Sequence, residues 1–158
     1  MTGIIRAANT NDVSMMVALS EEKRLMYQNY QPVFWRKAEN SQEVQTPFLE
    51  RQIEDERFIC LVHEEDEIVT GFLIAAIVSS PPVYNPGGLT GSIDDFWVKQ
   101  GKDWEGAGTA LLNEAISRIK QRGAAQLVVV CGHEDQPKRA MLQAHGYTLA
   151  SEWYVTPI

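Results

Sequence analysis

The chain has 158 residues, of which 44% are hydrophobic and 22% charged, so we expect one globular domain over residues 1–158. The formal net charge of −7 disfavours nucleic-acid binding, which needs clustered Lys and Arg; it fits a cationic acceptor, or it simply keeps the protein soluble. No signal peptide is recognisable, and the apolar run from Phe72 to Val78 is too short to span a bilayer, so we expect a cytoplasmic protein without membrane contact. Cys60 and Cys131 lie in apolar, strand-like stretches and predict neither a disulfide nor a metal site.

The first part of the chain predicts one strand and two helices. Residues 3–8 suit a short strand, and capping side chains at residues 9–12 precede apolar residues at helical spacing. Pro32 interrupts the aromatic-rich stretch of residues 27–36, so one regular helix cannot run through it. A second helix is expected to begin with Thr46-Pro47 as its cap and first residue.

The middle of the chain predicts a hairpin and a further strand. Two apolar runs, Phe58 to His63 and Ile68 to Val78, flank a short acidic turn. The loop from Ser79 to Gly91 is rich in proline and glycine, so we expect no regular element there. Strand alternation over Ser92 to Val98 then places side chains on two faces: Ser92, Asp94, Phe96 and Val98 on one, and Ile93, Asp95 and Trp97 on the other.

The last part predicts a helix, a strand, a short helix and a final strand. Apolar residues from Leu111 to Ile119 follow a helical period, and Gly123 closes the helix. A strand over Gln126 to Cys131, a helix over Pro137 to His145 and a strand over Ser151 to Thr156 complete the pattern. We therefore expect an α/β (α+β) fold in which helices flank one mixed sheet.

A possible anion site follows the strand that ends at Val98. Gly106 and Gly108 lie in a short loop directly before a helix, where free backbone N–H groups and the helix dipole converge. Glycine also lets phosphate oxygens come close to the backbone. A lone Gly-x-Gly is weak evidence, however, and a plain tight turn explains it as well.

The wider spacing around these glycines resembles the acyl-CoA loop of the GNAT N-acetyltransferase superfamily, in which a strand, (Arg/Gln)-x-x-Gly-x-(Gly/Ala) and a helix follow one another. Here the segment reads Asp103-Trp104-Glu105-Gly106-Ala107-Gly108, and the later strand, turn, helix and Gly146-Tyr147 are similar too. The resemblance implies a mostly antiparallel GNAT-like sheet and acetyl-CoA as co-substrate. The residues it implies for acetyl-CoA binding are Phe96, Trp97, Val98, Asp103, Trp104, Glu105, Gly106, Ala107, Gly108, Thr109 and Lys138. Lys99, Lys102 and Arg139 are further candidates for the phosphates, and all four cations, Lys138 included, are alternatively ordinary surface charges.

The resemblance also implies acetyl transfer by direct attack of a primary amine on the thioester, with the strand N–H near Val98 holding the oxyanion. Freeing an alkyl amine from its proton at neutral pH costs about 4–5 kcal/mol, so a base is useful. Asp94 is our candidate, and Asp95, on the other face, is a weaker one. The alternative for both is a solvated strand residue. Asp103 and Trp104 depart from the family pattern, and Asp135 stands where many members have asparagine. Leu142 stands where many members carry a tyrosine that protonates the thiolate.

The acceptor pocket is expected at the variable aromatic positions Tyr30, Phe34, Trp35 and Tyr84, although core packing explains these residues equally well. The acceptor is a small-molecule or peptide amine that the sequence does not identify. His133 is a weaker candidate for a catalytic role. The missing tyrosine leaves a noncatalytic acyl-CoA-binding module as the rival hypothesis, and homodimers formed through sheet edges are a further option.

Overall fold

The computed structural model describes residues 3–101 and 103–158. In this part of the chain a sheet of five strands runs in the order β1-β2-β3-β4-β5. Neighbours are antiparallel except for β4 and β5, which are parallel. The elements are β1 (Ile4–Ala7), α1 (Val13–Tyr30), α2 (Ser41–Glu54), β2 (Phe58–Glu65), β3 (Ile68–Val78), β4 (Leu89–Val98), α3 (Thr109–Gln121), β5 (Ala124–Val129) and α4 (Gln136–Ala144). The predicted fold class, a mixed and mostly antiparallel sheet flanked by helices, is confirmed.

The helices cover both faces of the sheet. Trp97 of β4 donates a hydrogen bond to Glu22 of α1, whereas the neighbouring Phe96 packs against Lys138 of α4, and adjacent strand residues point to opposite faces. The core lies between these layers and includes Met16, Leu49, Leu61, Phe72, Leu73, Ile93, Phe96, Leu111, Leu112 and Met141.

The first helix begins where its capping residues predict and does not run through Pro32, but the second begins earlier than predicted. Asn9 and Asp12 form a capping box at the short 3₁₀ turn that leads into α1, and α1 ends at Tyr30, two residues before Pro32. The prediction that Thr46-Pro47 starts α2 is wrong, because α2 begins at Ser41. The Thr46 hydroxyl instead donates to the carbonyl oxygen of Gln42, at 3.0 Å, inside the helix.

The β2–β3 hairpin is confirmed, with Asp66 and Glu67 in the left-handed region at φ 51° and 64°. β4 begins at Leu89, inside the segment for which we expected no regular element, because its first residues pair with β3 and β5. The predicted final strand over 151–156 is wrong. Residues 147–158 have no regular secondary structure, since a strand needs a partner for its backbone groups as well as suitable residues.

Candidate functional site

The segment after β4 confirms the predicted order of strand, loop and helix. Residues Trp104 to Gly108 form a single π-helical turn that leads into α3, and the Asp103 carboxylate caps this turn by accepting a hydrogen bond from the Glu105 N–H at 2.8 Å. The hydroxyl oxygen of Thr109, at the first position of α3, is buried and has no hydrogen-bond partner among the described residues. Because this oxygen has almost no accessible surface, a ligand could reach it only if neighbouring side chains moved.

The two glycines of this turn also have a packing role that the sequence did not reveal. A Cβ atom at Gly108 would lie 2.7 Å from the Trp104 ring, and one at Gly106 would lie 3.4 Å from the Asp103 carboxylate. Trp104 is buried and makes edge contacts with Phe96 and Trp97, at centroid distances of 5.0 and 6.0 Å. The Cβ side of Gly108 is therefore covered by Trp104, and phosphate binding by the backbone N–H groups stays a prediction.

Among the described residues, β4 has no strand partner on its β5 side beyond Ile93, and this stretch is its open edge. Val129 is the last residue of β5 that pairs with β4, and the N–H of the next residue, Val130, donates to the Ile93 carbonyl oxygen at 2.9 Å. On the other side of β4, the Lys99 N–H bonds to the Thr70 carbonyl oxygen of β3 at 2.8 Å. Hydrogen-bonding direction alternates along an antiparallel strand, so the Val98 N–H points away from β3, toward the open edge.

A β-bulge in β4 overturns the predicted faces of this strand. Asp95 pairs with Ile74 and Ile93 pairs with Ala75, so Asp94 is an extra residue between them. Asp94 and Asp95 both line a cavity beneath α1 and α2, and Asp95 forms an ion pair with Lys23 of α1 at 3.1 Å. The expectation that Asp94 shares a face with Phe96 and Val98 is therefore wrong, although Asp94 stays close to them along the chain.

Lys138 is buried at the open edge of β4 instead of lying on the surface. Its ammonium donates a hydrogen bond to the Phe96 carbonyl oxygen at 3.2 Å and lies 5.1 Å from the centre of the Phe96 ring and 5.7 Å from that of Trp104. Burial lowers the pKa of this ammonium to about 8. The sequence assigned Lys138 to acetyl-CoA, but it gave no sign that the side chain would be enclosed.

A buried polar pair that the sequence did not predict lies where β5 leaves β4. The Tyr27 hydroxyl donates to an Asp135 carboxylate oxygen at 2.6 Å and accepts from the Gly132 N–H at 3.3 Å. Burial, followed by the Asp135 charge, raises the pKa of Tyr27. The sequence contains one signal that Tyr27 shares a polar helix face, because Ser20, Lys23, Arg24 and Tyr27 follow the i, i+3, i+4, i+7 spacing.

Three of the four predicted acceptor residues come together. The ring centroids of Tyr30 and Trp35 lie 5.6 and 4.7 Å from that of Tyr27, and Phe34 contacts Trp35 at 5.4 Å. Tyr84 lies apart, 71% exposed, in the loop before β4. Tyr27, Tyr30 and Trp35 pack with the core, whereas Phe34 is 50% exposed. The role of the predicted residues in acceptor binding stays a prediction.

The cavity beneath α1 and α2 lies against the sheet face that carries Asp94. It has a volume of about 330 Å³, within the usual range for small-molecule sites. Its wall contains Ser20, Lys23, Arg24, Phe48, Gln52, Phe58, Ile74, Ala76, Ser92, Asp94 and Asp95. The sequence indicated only Asp94 and Asp95 among these residues.

The remaining candidates are peripheral. His133 and Lys99 are exposed, Arg139 donates to the His133 carbonyl oxygen, and Lys102 lies outside the described residues.

Burial raises the pKa of the free thiols of Cys60 and Cys131 to about 11. Within residues 3–101 and 103–158, no group of three or more His, Cys, Asp or Glu side chains could hold a metal ion. No helix in these two ranges has the length and apolar composition to cross a membrane.

Comparisons with known proteins agree with this fold. The model of the acetyltransferase (GNAT) family matches residues 23–147. A mutant of the BH1408 protein from Bacillus halodurans has a TM-score of 0.87 at 17% identity, covering 98% of this chain and 99% of that chain. A predicted acetyltransferase from Clostridium acetobutylicum, solved with acetyl-CoA, has a TM-score of 0.75 at 18% identity, covering 99% and 96%. A ribosomal-protein-alanine N-acetyltransferase from Brucella melitensis has a TM-score of 0.69 at 16% identity, covering 99% and 100%. Comparison with curated proteins finds no match.

Proposed function

The chain belongs to the GNAT family of acetyltransferases, and we propose that it transfers the acetyl group of acetyl-CoA to a primary amine by direct attack. The observation that carries this proposal is the open edge of β4 beyond Ile93. The Val98 N–H points toward this edge, Asp94 of the cavity lies earlier in the same strand, and the strand leads through a short loop into the turn before α3. Donor and acceptor would thus meet at one strand.

The donor would bind along the open edge and the turn. The N-terminus of α3 suits the pyrophosphate. The Val98 N–H suits the thioester carbonyl oxygen, on which negative charge develops during attack. The Lys138 ammonium lies on the same edge, where it donates to the carbonyl oxygen of Phe96, two residues before Val98. Its positive charge there would favour a departing thiolate.

In the reaction, the amine nitrogen forms a bond to the thioester carbon and the carbon–sulfur bond breaks. The amine loses one proton as the new bond forms, and Asp94 would accept it. The Asp94 carboxylate is exposed and accepts a hydrogen bond from the Ser92 hydroxyl at 3.3 Å, and it has no ion-pair partner among the described residues. The products are an acetamide and the thiol of CoA.

The leaving group does not require the tyrosine that is absent at Leu142. A thiol with a pKa near 8.5 leaves as a thiolate at neutral pH at a cost of about 2 kcal/mol, less than half the cost of freeing the amine. Leu142 is buried in the core, so that position supplies no proton. The absence of a tyrosine at this position also favours the rival function, a noncatalytic acyl-CoA-binding module.

Turnover separates the two functions. We expect CoA thiol to be released from acetyl-CoA in the presence of one or more members of a broad amine panel; binding without release supports the module. With an accepted amine, Asp94→Asn should lower kcat/KM by roughly 10²–10⁴-fold, as expected for a lost base. His133→Ala and Tyr147→Phe should each cost less than about tenfold. If either of these matched the loss in Asp94→Asn, a separate acid would exist and our account of the leaving group would be wrong.

A further inference from the structure

The stretch that follows α4 is exposed along its whole length. Residues 148–158, which we call the unpaired segment, are all exposed, and no backbone hydrogen bond joins them to any other described residue. Leu149, Trp153 and Tyr154 are 76%, 77% and 89% exposed. Large apolar side chains that are exposed together mark an interaction surface, so the unpaired segment is expected to pack against something outside this copy of the chain.

The unpaired segment has the residues of a half-buried strand. The four residues from Trp153 to Thr156 are aromatic or β-branched, the types that favour strands. In an extended chain, alternate side chains share a face, so Leu149, Trp153 and Val155 would form one apolar face. Glu152 is the one charged residue of the segment. What the segment lacks, among the described residues, is a strand to pair with.

The last strand of the sheet, β5, has an unprotected edge. Among the described strands it pairs with β4 alone. Residues 124–132 contain no charged residue and no proline, and the side chains of Val128 and Val130 are exposed. Natural edge strands are normally protected by charges, by proline or by being short, and β1 at the opposite edge has four residues and carries the ion-paired Arg6. The composition of β5 instead suits a strand that another strand covers.

The backbone groups of Val129 point to this uncovered side of β5. The Val130 N–H donates to the Ile93 carbonyl oxygen at 2.9 Å, and Ile93 is the β4 residue that pairs with Val129. In a parallel pair of strands, the residue directly opposite such a bonded residue has its own N–H and C=O on the other side. The Val129 N–H therefore points away from β4, where no described strand lies.

One copy of the chain does not cover its own edge. The segment leaves α4 through Tyr147, whose N–H donates to the Leu142 carbonyl oxygen at 3.1 Å. The Trp153 ring then meets Phe34, in the turn after α1, at a centroid distance of 5.9 Å. Each copy thus has one strand-like segment and one strand edge without a partner among the described residues. A twofold axis that brings the segment of each copy to the edge of the other satisfies both at once, whereas an unrelated protein on the edge would leave the segment unpaired.

We propose that the protein forms a homodimer in which the unpaired segment of each copy adds a strand to the outer edge of β5 in the other. The Val129 N–H donates to a carbonyl oxygen of the incoming segment, and the apolar face of the segment lies beside Val128 and Val130. The unpaired segment and residues 124–132 together supply about 20 residues per copy, the usual number for a stable interface. This inference does not depend on acetyl transfer.

The first test is the oligomeric state of the full chain and of a variant of the edge. Analytical ultracentrifugation should give twice the mass of one chain for the wild type. Val129→Pro removes the outward N–H and no hydrogen bond between β4 and β5. Because a twofold dimer contains each contact twice, this variant should raise the dimer dissociation constant about a hundredfold or more. Val129→Ala also shortens the side chain but keeps the N–H, and it should remain a dimer.

The second test changes the unpaired segment. Trp153→Asp places a charge on its apolar face, and it should also raise the dimer dissociation constant about a hundredfold or more. Val83→Asp introduces the same charge at an exposed apolar residue of the loop before β4, and it should leave the dimer unchanged. Because Trp153 is exposed in a single copy, we expect Trp153→Asp to keep the circular dichroism spectrum of the wild type, which checks that the variant is folded.

Mixing the two variants tests the exchange itself. Val129→Pro keeps an intact segment and Trp153→Asp keeps an intact β5 edge, so the mixture should form heterodimers at concentrations at which each variant alone is a monomer. A wild type that stays monomeric up to about 100 μM would overturn the proposal. A dimer that persists in Trp153→Asp would show that the interface does not need the segment, and one that persists in Val129→Pro would show that it does not need the edge. Either result, or a mixture without heterodimers, would overturn the exchange.

Discussion

Replacing the buried Lys138 by methionine should change how the stability of the protein depends on pH. Burial lowers the pKa of this ammonium from 10.5 to about 8 in the folded protein, a shift that corresponds to about 3 kcal/mol of preference for the neutral form. Because the unfolded chain binds this proton more tightly, the free energy of unfolding rises as pH increases past the folded pKa. Between pH 7 and pH 9 this gain is about 1 kcal/mol, and Lys138→Met removes it.

The assay is urea unfolding followed by tryptophan fluorescence at pH 7, 8 and 9. The raised pKa of Cys60, about 11, lowers stability over part of this range in both proteins alike. The raised pKa of Cys131 does so too, although Lys138 lowers that pKa in the wild type. From pH 7 to pH 9, the free energy of unfolding of the wild type should therefore rise by about 1 kcal/mol relative to that of Lys138→Met. Lys120→Met, which removes an exposed lysine, is the control for loss of charge. A difference that is constant from pH 7 to pH 9 would refute the burial of a titrating ammonium at Phe96.

Three further predictions concern the turn, an ion pair and the core. Gly108→Glu should abolish acetyl-CoA binding in titration calorimetry, because it places bulk and negative charge at the turn. Unchanged affinity would locate the anion site elsewhere. Circular dichroism checks that the packing of Trp104, which covers Gly108, is kept. Asp12, whose pKa Arg6 lowers, gives stability that disappears as pH falls through its folded pKa, so Asp12→Asn should cost more at pH 7 than at pH 3 in urea unfolding. Leu112→Ala should lower the free energy of unfolding by about 2–5 kcal/mol, and a smaller loss in urea unfolding would contradict its full burial.

Local patterns predicted the elements whose signals are local. The β2–β3 hairpin follows from two apolar runs around a turn, and the end of α1 follows from Pro32. Thr46-Pro47 has the residues of a helix start, yet the preceding turn of α2 is already helical. A capping sequence shows that a helix can begin at that residue, but the neighbouring contacts decide whether it does.

The site was less predictable because its geometry depends on distant pairs. The bulge at Asp94 is a property of the β3–β4 register, so alternation within β4 could not reveal it. The contacts between Tyr27 and Asp135 and between Lys138 and Phe96 join segments far apart in the chain. The glycine turn was found because its spacing is contiguous, but its covering by Trp104 is a packing result.

A crystal structure with acetyl-CoA tests the central claim most directly, because it shows where the donor binds and where its acetyl group points. Our account predicts the pyrophosphate at the turn from Trp104 to Thr109, and the thioester carbonyl oxygen about 3 Å from the Val98 N–H. The acetyl group should then face the cavity that contains Asp94. Density for the pyrophosphate away from this turn, or a β4 edge still occupied by Lys138 with the thioester elsewhere, would contradict the account.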